Sequence, residues 1–263
     1  MSHDAHARFD VAGGTVTGRC HGLAGRGNQD AYAIRAEADR IVAVVCDGCG
    51  SGTHSEVGAQ LGARMVTAIL MRRLAAGADL GDGALFGSLR DDVLAALRPA
   101  ALAAGDRMAT TVSDMLLFTI LGVAVKGDRG CVFAAGDGLV VIDDDIRRLG
   151  PFPGDAPPYV GYGLLDGSAP GISVVEAFST AEVRRVLIGT DGVGALADLE
   201  GGEKLRALWE DDRHFRNRDG VRRTLALLNR EEARPLWDER RMTRTRGLLD
   251  DDATLVMLRR KGS

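Results

Sequence analysis

The chain has 263 residues, of which 45% are hydrophobic and 27% charged, and its formal net charge is −4. This composition is ordinary for a globular protein with a sizeable core, and it does not favour nucleic acid or an anionic membrane as a partner. The N-terminal residues lack the apolar segment of a secretory signal, and no stretch is long enough to span a bilayer. With four cysteines, we expect a reducing cytoplasmic location and one domain spanning residues 1–263.

The first part of the chain predicts strands followed by a helix. Short apolar segments rich in β-branched residues predict strands over 14–18, 31–35 and 41–46. A glycine-rich loop follows, and Thr53 and Glu56 have the spacing of a capping box, which predicts that a helix begins there.

The rest of the sequence predicts a second helix, which completes a first helix pair, then several strands and then a second helix pair. The segment 85–104 predicts a helix that is interrupted at Pro99. A long apolar strand is predicted over 115–125. The later predicted elements are a strand from Cys131 that pairs back on it, a hairpin of strands 139–143 and 146–149, a loop over 150–171, strands at 172–175 and 186–190, helices at 205–209 and 221–232, an exposed basic loop at 240–246 and a strand at 254–258. This order predicts an α+β domain with helices packed outside two antiparallel sheets.

Several apolar segments meet an aspartate at one end. Three of them stop on an Asp-Gly pair, at Asp47, Asp137 and Asp191, and the last is preceded by residues 250–252, which are all aspartates. An aspartate at the end of a buried strand is costly unless a partner neutralises it. Asp-Gly is also a common turn dipeptide, and we expect Asp166 to lie in a turn only. For the others, one shared divalent-cation site is the simplest explanation.

Asp30 stands near the start of the strand that precedes the Asp47 strand. Together with Asp47, Asp191 and Asp251 it gives a set of ligands that contains only oxygen. Carboxylates without histidine select Mg²⁺ or Mn²⁺ over zinc. Two such ions sharing Asp47 could hold a water between them and lower its pKa, which would produce a nucleophile for phosphoryl transfer.

The order of these motifs resembles a known family. The segments are Asn28-Gln-Asp-Ala31, Val45-Cys-Asp-Gly-Cys-Gly50, Ser55-Glu-Val-Gly-Ala59, Thr110-Thr111, Ala135-Gly-Asp-Gly138, Gly189-Thr-Asp-Gly192 and Asp251-Asp-Ala-Thr254. They resemble, over nearly the whole chain, the metal-dependent serine/threonine phosphatases of the PPM type (protein phosphatase type 2C), in a bacterial branch. The resemblance implies a four-layer αββα fold with a central antiparallel β-sandwich flanked by helix pairs.

The resemblance also implies roles for the aspartates. Asp47 would bridge two Mg²⁺ or Mn²⁺ ions, and the carbonyl of Gly48 would be a further ligand. Asp30 would bind the second metal, while Asp191 and Asp251 would complete the first.

Asp137 matches the family position that helps to hold a third, weaker metal. The implied reaction is hydrolysis of phosphoserine or phosphothreonine on proteins by the bridging water. The implied partners are a phosphorylated protein and, as a further candidate, a cognate kinase.

Two positions depart from the family pattern. The arginine that clamps the substrate phosphate is expected where this chain has Gly25, and Arg26 lies one residue nearer the aspartate. Some members carry a histidine as general acid where this chain has Cys49. His21 and His54 are the nearby candidates for that role.

These departures leave an alternative open: a metal-binding pseudophosphatase that docks to a partner without turnover. A more distant alternative is a thiol redox protein that uses the Cys46-x-x-Cys49 pair. Cys46 is expected instead to be a small hydrophobic residue that completes a buried strand. For the basic segment 240–246, a second hypothesis is an edge that steers phosphopeptides toward the site.

Overall fold

The computed structural model describes residues 8–168 and 170–262, and these contain twelve strands in two sheets and one separate hairpin. The strands are β1 (Phe9–Val16), β2 (Asp30–Glu37), β3 (Arg40–Asp47), β4 (Ile120–Lys126), β5 (Arg129–Ala135), β6 (Gly138–Ile142), β7 (Asp145–Leu149), β8 (Ser173–Ser179), β9 (Arg185–Gly189), β10 (Glu232–Leu236), β11 (Arg241–Thr245) and β12 (Ala253–Arg260). One sheet has the order β1-β12-β9-β6-β7 and the other β2-β3-β4-β5-β8. Every recorded strand pair is antiparallel.

Helices cover the outer faces of both sheets. In the described residues the α-helices are α1 (Arg19–Leu23), α2 (Ser55–Ala75), α3 (Leu85–Ala104), α4 (Met108–Thr111), α5 (Gly194–Asp198), α6 (Glu203–Glu210), α7 (Asp212–Arg216) and α8 (Gly220–Leu228). The long pair α2 and α3 packs on the β2-β3-β4-β5-β8 sheet, and α6 and α8 pack on the other sheet. The predicted layered α+β architecture of a β-sandwich between helix pairs is confirmed.

Strand β3 illustrates why the central strands are continuous apolar runs. Its odd-numbered residues 41–45 lie in the core between the two sheets, whereas its even-numbered residues 42–46 lie in the core beneath α2 and α3. Both faces of the strand are therefore buried, and alternation between polar and apolar residues is lost. Because the strand is packed on both sides, the position of Asp47 at its end is rigidly determined.

Several element boundaries differ from the sequence prediction. Helix α2 begins at Ser55, and its N-cap residue is His54 without a side-chain cap, so the predicted capping box at Thr53 is wrong. Helix α3 runs through Pro99 without ending, so the predicted interruption is wrong too. The strand predicted over 115–125 begins only at Ile120, because a π-helical turn occupies Val112–Leu116.

The end of α8 and the segment after it also differ from the sequence prediction. The helix expected to reach residue 232 ends at Leu228, and the expected loop over 240–246 contains β11, which forms a hairpin with β10. Nearly all of this hairpin is exposed, including Trp237 at 82%. Its base is tied down by Asn229, whose side chain donates to the carbonyl of Thr17 and accepts from the N–H of Leu249.

Across the described residues, no helix combines the length and the apolar character needed to cross a membrane.

Candidate metal centre

The register of one hairpin brings Asp30 and Asp47 face to face. Strands β2 and β3 are joined by a two-residue turn, with Glu37 opposite Arg40. Counting back along the two strands, this register pairs Asp30 with Asp47 at the open end of the hairpin. Two carboxylates seventeen positions apart in sequence thus become direct cross-strand neighbours, which is destabilising unless a cation lies between them.

The register of the other sheet brings a second pair of aspartates together. Strands β6 and β9 are antiparallel with Leu139 opposite Gly189. Continuing that register two residues beyond the pairing places Asp137 and Asp191 at the same edge. Repulsion from Asp191 helps to raise the pKa of Asp47, so the two sheets contribute carboxylates to one cluster.

A cleft of about 370 Å³ opens over this edge. The carboxylates that line it are those of Asp47, Asp137, Asp191 and Asp251. Asp30 is not among the lining residues; it lies beneath Asp47, is 5% exposed, and accepts a hydrogen bond of 2.7 Å from Thr190 Oγ1. All five aspartates predicted from the sequence are therefore brought together, four at the cleft and one below it.

Burial and mutual repulsion raise the pKa values of the clustered carboxylates. Burial raises the pKa of Asp30 to about 8, and repulsion from Asp252 and Asp191 adds to the effect. Desolvation also raises the pKa of Asp47 well above its usual range, with repulsion from Asp30 next in importance. The pKa of Asp191 is raised by desolvation and then by repulsion from Asp251, although solvent reaches Asp191 from the cleft.

The donor set fits a hard divalent cation. Carboxylate oxygens, with the backbone carbonyl of Gly48 on the cleft wall, are the ligands that Mg²⁺ and Mn²⁺ prefer. A divalent cation between these groups would remove the repulsion that raises their pKa values. The residues present therefore suit the ions that the sequence predicted.

Asp252 is the site residue that the sequence analysis missed. It is 3% exposed; its Oδ1 accepts from the N–H of Gly18 at 2.7 Å and its Oδ2 from the N–H of Gln29 at 2.6 Å. His21 Nδ1 lies 2.8 Å from the same Oδ2. His21, Asp251 and Asp252 are close enough together to hold a metal, and each oxygen of Asp252 already accepts one backbone N–H. Asp252 therefore supports the loop, and the neighbouring Asp251 faces the cleft.

Two further contacts hold the loop of Asp251 in place. A Cβ atom at Gly192 would lie 2.0 Å from the carbonyl oxygen of Asp252, so only glycine lets the Asp191 turn approach this closely. Thr190 Oγ1 donates to Asp30, and Thr254 donates its N–H to the same hydroxyl at 3.1 Å. Thr190 thus links β2, β9 and β12 directly behind the carboxylates.

The residues at the two departures from the family pattern lie around the cleft. Arg26 is exposed, is not among the lining residues, and its Nη1 donates to the carbonyl oxygen of Gly50 at 2.9 Å. Its predicted role in clamping phosphate stays a prediction. Of the two histidines, His21 lines the cleft, whereas His54 lies outside it, 3.5 Å from Glu56.

The two cysteines of the C-x-x-C pair have different surroundings. Cys46 is completely buried, and burial raises the pKa of its thiol well above the usual value. Cys49 is half-buried, and its Sγ lies 3.1 Å from Ser51 Oγ. Because Cys46 packs in the core as expected, the geometry gives no support to a redox dithiol.

The fold and the carboxylate cluster together define the class of protein. A β-sandwich between helix pairs, with aspartates from both sheets meeting at one edge, agrees with the fold that the resemblance of the motifs implies. A family model described as protein phosphatase 2C matches residues 17–229. The chain therefore belongs to the protein phosphatase 2C family, which is metal-dependent.

Solved structures of bacterial phosphatases share this fold. PppA, described as a key regulatory component of T6SS in Pseudomonas aeruginosa, is 20% identical with a TM-score of 0.60, over 96% of this chain and 98% of that one. Serine/threonine phosphatase Stp1 from Staphylococcus aureus is 17% identical with a TM-score of 0.55, over 97% and 96%. A bacterial serine phosphatase is 16% identical with a TM-score of 0.55, over 97% and 99%. No curated protein sequence matches significantly. At these identities the likeness establishes the fold alone.

Proposed function

We propose that this protein hydrolyses phosphoserine or phosphothreonine on proteins with the help of Mg²⁺ or Mn²⁺. The observation that carries the proposal is the convergence of Asp47, Asp137, Asp191 and Asp251 on one cleft, above the buried Asp30. Membership of the protein phosphatase 2C family supports the reaction class. We expect two ions, with a third and weaker one near Asp137.

Each residue has a distinct proposed task. Asp47, in the cleft where aspartates from both sheets meet, would hold both ions, with Gly48 O as a further ligand. Asp191 and Asp251 would complete one ion site, and Asp30 would serve the other from beneath. The bound ions supply charge neutralisation for the phosphoryl oxygens and a water activated for attack on phosphorus. By holding the ions, the carboxylates would orient the attack in line with the leaving serine or threonine oxygen.

The cleft wall suits a protein substrate. Besides the acidic edge it includes Phe152, Pro157 and Tyr159, which offer apolar surface next to the reacting group. A phosphorylated side chain on a flexible segment could enter with its phosphate at the aspartates and its neighbouring residues on this wall. The exposed basic hairpin of β10 and β11, six residues before Asp251, is a candidate surface for steering such a substrate.

A pseudophosphatase is the second candidate, because the Arg26 guanidinium is outside the cleft lining and Cys49 occupies the position of the general acid. Hydrolysis of an aryl phosphate by metal-stripped protein, before and after addition of Mn²⁺, separates the two. Activity that appears only with Mn²⁺ supports the phosphatase. Binding of Mn²⁺ and of a phosphopeptide without phosphate release would establish the pseudophosphatase instead.

A further inference from the structure

In the part of the chain that the structure describes, the cleft wall carries one strong cation, and no role has yet been assigned to it. Among the described residues that line the cleft, Arg148 is the one arginine, and no lysine accompanies it. The other charged groups on the wall are four carboxylates. A phosphoryl group with two negative charges needs hydrogen-bond donors or a cation beside metals that are already largely neutralised by these aspartates. The composition of the wall therefore directs attention to Arg148.

The guanidinium of Arg148 is held at the wall with part of its donor capacity unused. Arg148 lies on β7, and its Nη2 donates to the carbonyl of Gly194 at 2.8 Å and to Asp198 Oδ1 at 2.6 Å. Both recorded bonds use Nη2, so Nη1 and Nε have no hydrogen-bond partner among the described residues. The remaining N–H groups of Nη1 and Nε point in different directions, so each is available for a single charge-assisted hydrogen bond to a phosphoryl oxygen.

The backbone at the start of α5 is shaped around this side chain. A Cβ atom at Gly194 would stand 2.6 Å from Nη1 and 3.1 Å from Cζ of Arg148. Gly194 follows Asp191 by three residues, and both line the cleft. The guanidinium therefore lies over the segment that begins with a proposed metal ligand, and any larger residue at 194 would displace it.

We propose that Arg148 binds the phosphoryl group of the substrate from the wall formed by β7 and α5. The proposal rests on the phosphatase function proposed above and adds a substrate-binding residue to it. Arg148 would supply the cation at the cleft that the family pattern expects from a different segment. Its side chain is 49% exposed, so it is accessible to a ligand that enters the cleft.

A purely structural role makes a different prediction. If Arg148 served only to link β7 to α5, removing its ion-pair partner would weaken phosphate binding as much as removing Arg148 itself. Asp198 offers that control, because its side chain is 73% exposed and it is not among the cleft residues. Asp198→Asn removes the charge partner and keeps the guanidinium in place.

The test is calorimetric titration of inorganic phosphate into the Mn²⁺-loaded protein, with phosphate inhibition of aryl phosphate hydrolysis as a second readout. We expect Arg148→Ala to raise the Kd for phosphate about tenfold, the low end for hydrogen bonds between charged groups, because the site is half exposed. Arg148→Lys should restore part of the loss. Gly194→Val should weaken binding as Arg148→Ala does, and Asp198→Asn should leave it unchanged or tighter.

Two results would overturn the assignment: an unchanged Kd in Arg148→Ala, or an equal loss in Arg148→Ala and Asp198→Asn. Variants are compared after circular dichroism and Mn²⁺ titration have shown a native fold and unchanged metal binding. Gly194→Val is a second route to the same displacement should Arg148→Ala fold poorly. The titration needs no turnover, so it tests Arg148 even if the wild-type protein releases no phosphate. That absence of phosphate release would contradict the proposed function and would be seen in a separate measurement.

Discussion

Asp30 and Asp47 stand directly opposite each other at the open end of the β2–β3 hairpin, and neither has a basic residue as hydrogen-bond partner among the recorded contacts. Asp30 accepts from Thr190, and the backbone N–H of Asp47 binds the hydroxyl of Thr119 at 3.0 Å. Two adjacent carboxylates in such surroundings are stable only when protonated or when a cation lies near them. The following predictions depend on this relationship.

The stability of the metal-free protein should depend on pH with an unusual sign. Because Asp30 has a pKa of about 8 in the folded protein against 3.8 for the ordinary group, the folded state holds more protons than the unfolded state between these values. The free energy of unfolding should therefore fall as pH rises from about 4 to about 8. Thermal unfolding in EDTA measures this. Asp30→Asn should flatten the slope, and added Mn²⁺ should counteract it at pH 8; a stability that rises over this window would disprove the reasoning.

Asp252→Asn should weaken metal binding although Asp252 is not a proposed ligand. The amide nitrogen cannot accept hydrogen bonds, so one of the N–H groups of Gly18 and Gln29 would lose its partner and the loop of Asp251 would shift. We expect a loss of about 10- to 100-fold in apparent Mn²⁺ affinity, as for other residues that orient metal ligands. Calorimetric Mn²⁺ titration measures it. Asp250→Asn, two residues earlier and exposed, is the matched control. If the two substitutions weakened Mn²⁺ binding equally, Asp252 would have no special role.

Cys49→Ser should retain most of the activity. The proposed nucleophile is water, so the thiol forms no covalent intermediate. Burial alone would raise the pKa of Cys49, but hydrogen bonds from Ser51 and from nearby backbone outweigh it and the pKa is lowered. Steady-state kinetics on an aryl phosphate checks the expectation. Complete loss of activity in a well-folded Cys49→Ser protein, or a trapped phosphocysteine, would require a different mechanism.

Arg26→Ala should raise KM more than it lowers kcat. Its guanidinium donates to the carbonyl of Gly50, a cleft residue, so its removal should loosen the loop that follows Asp47 or withdraw a cation from the substrate. Arg26→Lys should rescue only partly, because an ammonium group cannot reproduce the planar fork. Kinetics with a phosphoserine peptide measures both constants, and an unchanged KM would exclude Arg26 from substrate binding.

Part of the site could be predicted from the sequence because several of its aspartates lie where strands end. The turn at residues 38–39 fixes the β2–β3 register, and the apolar runs that stop at Asp47 and Asp191 show where their strands end. Asp252 could not be singled out, since three adjacent aspartates look alike in sequence and only the buried N–H groups of Gly18 and Gln29 distinguish it. Those donors come from segments more than 220 residues away.

The errors in the fold have a similar origin. Pro99 is tolerated because the rest of α3 is held by packing against α2, which outweighs local propensity. The β10–β11 hairpin escaped prediction since its exposed strands lack the apolar alternation of a half-buried strand. No local sequence pattern predicts the proposed role of Arg148, because that role depends on a contact with Gly194, 46 residues later.

The most direct test of the account is phosphate release from a phosphoserine peptide by metal-stripped protein as Mn²⁺ is added, for wild type, Asp47→Asn and Asp166→Asn. Asp166 does not line the cleft, accepts a turn hydrogen bond from the N–H of Ser168, and serves as the control. We predict no release in EDTA, restoration by Mn²⁺ in wild type and Asp166→Asn, and near-complete loss in Asp47→Asn, which removes a charge both ions need. Full activity without metal, or near-normal activity in Asp47→Asn, would contradict the two-metal site.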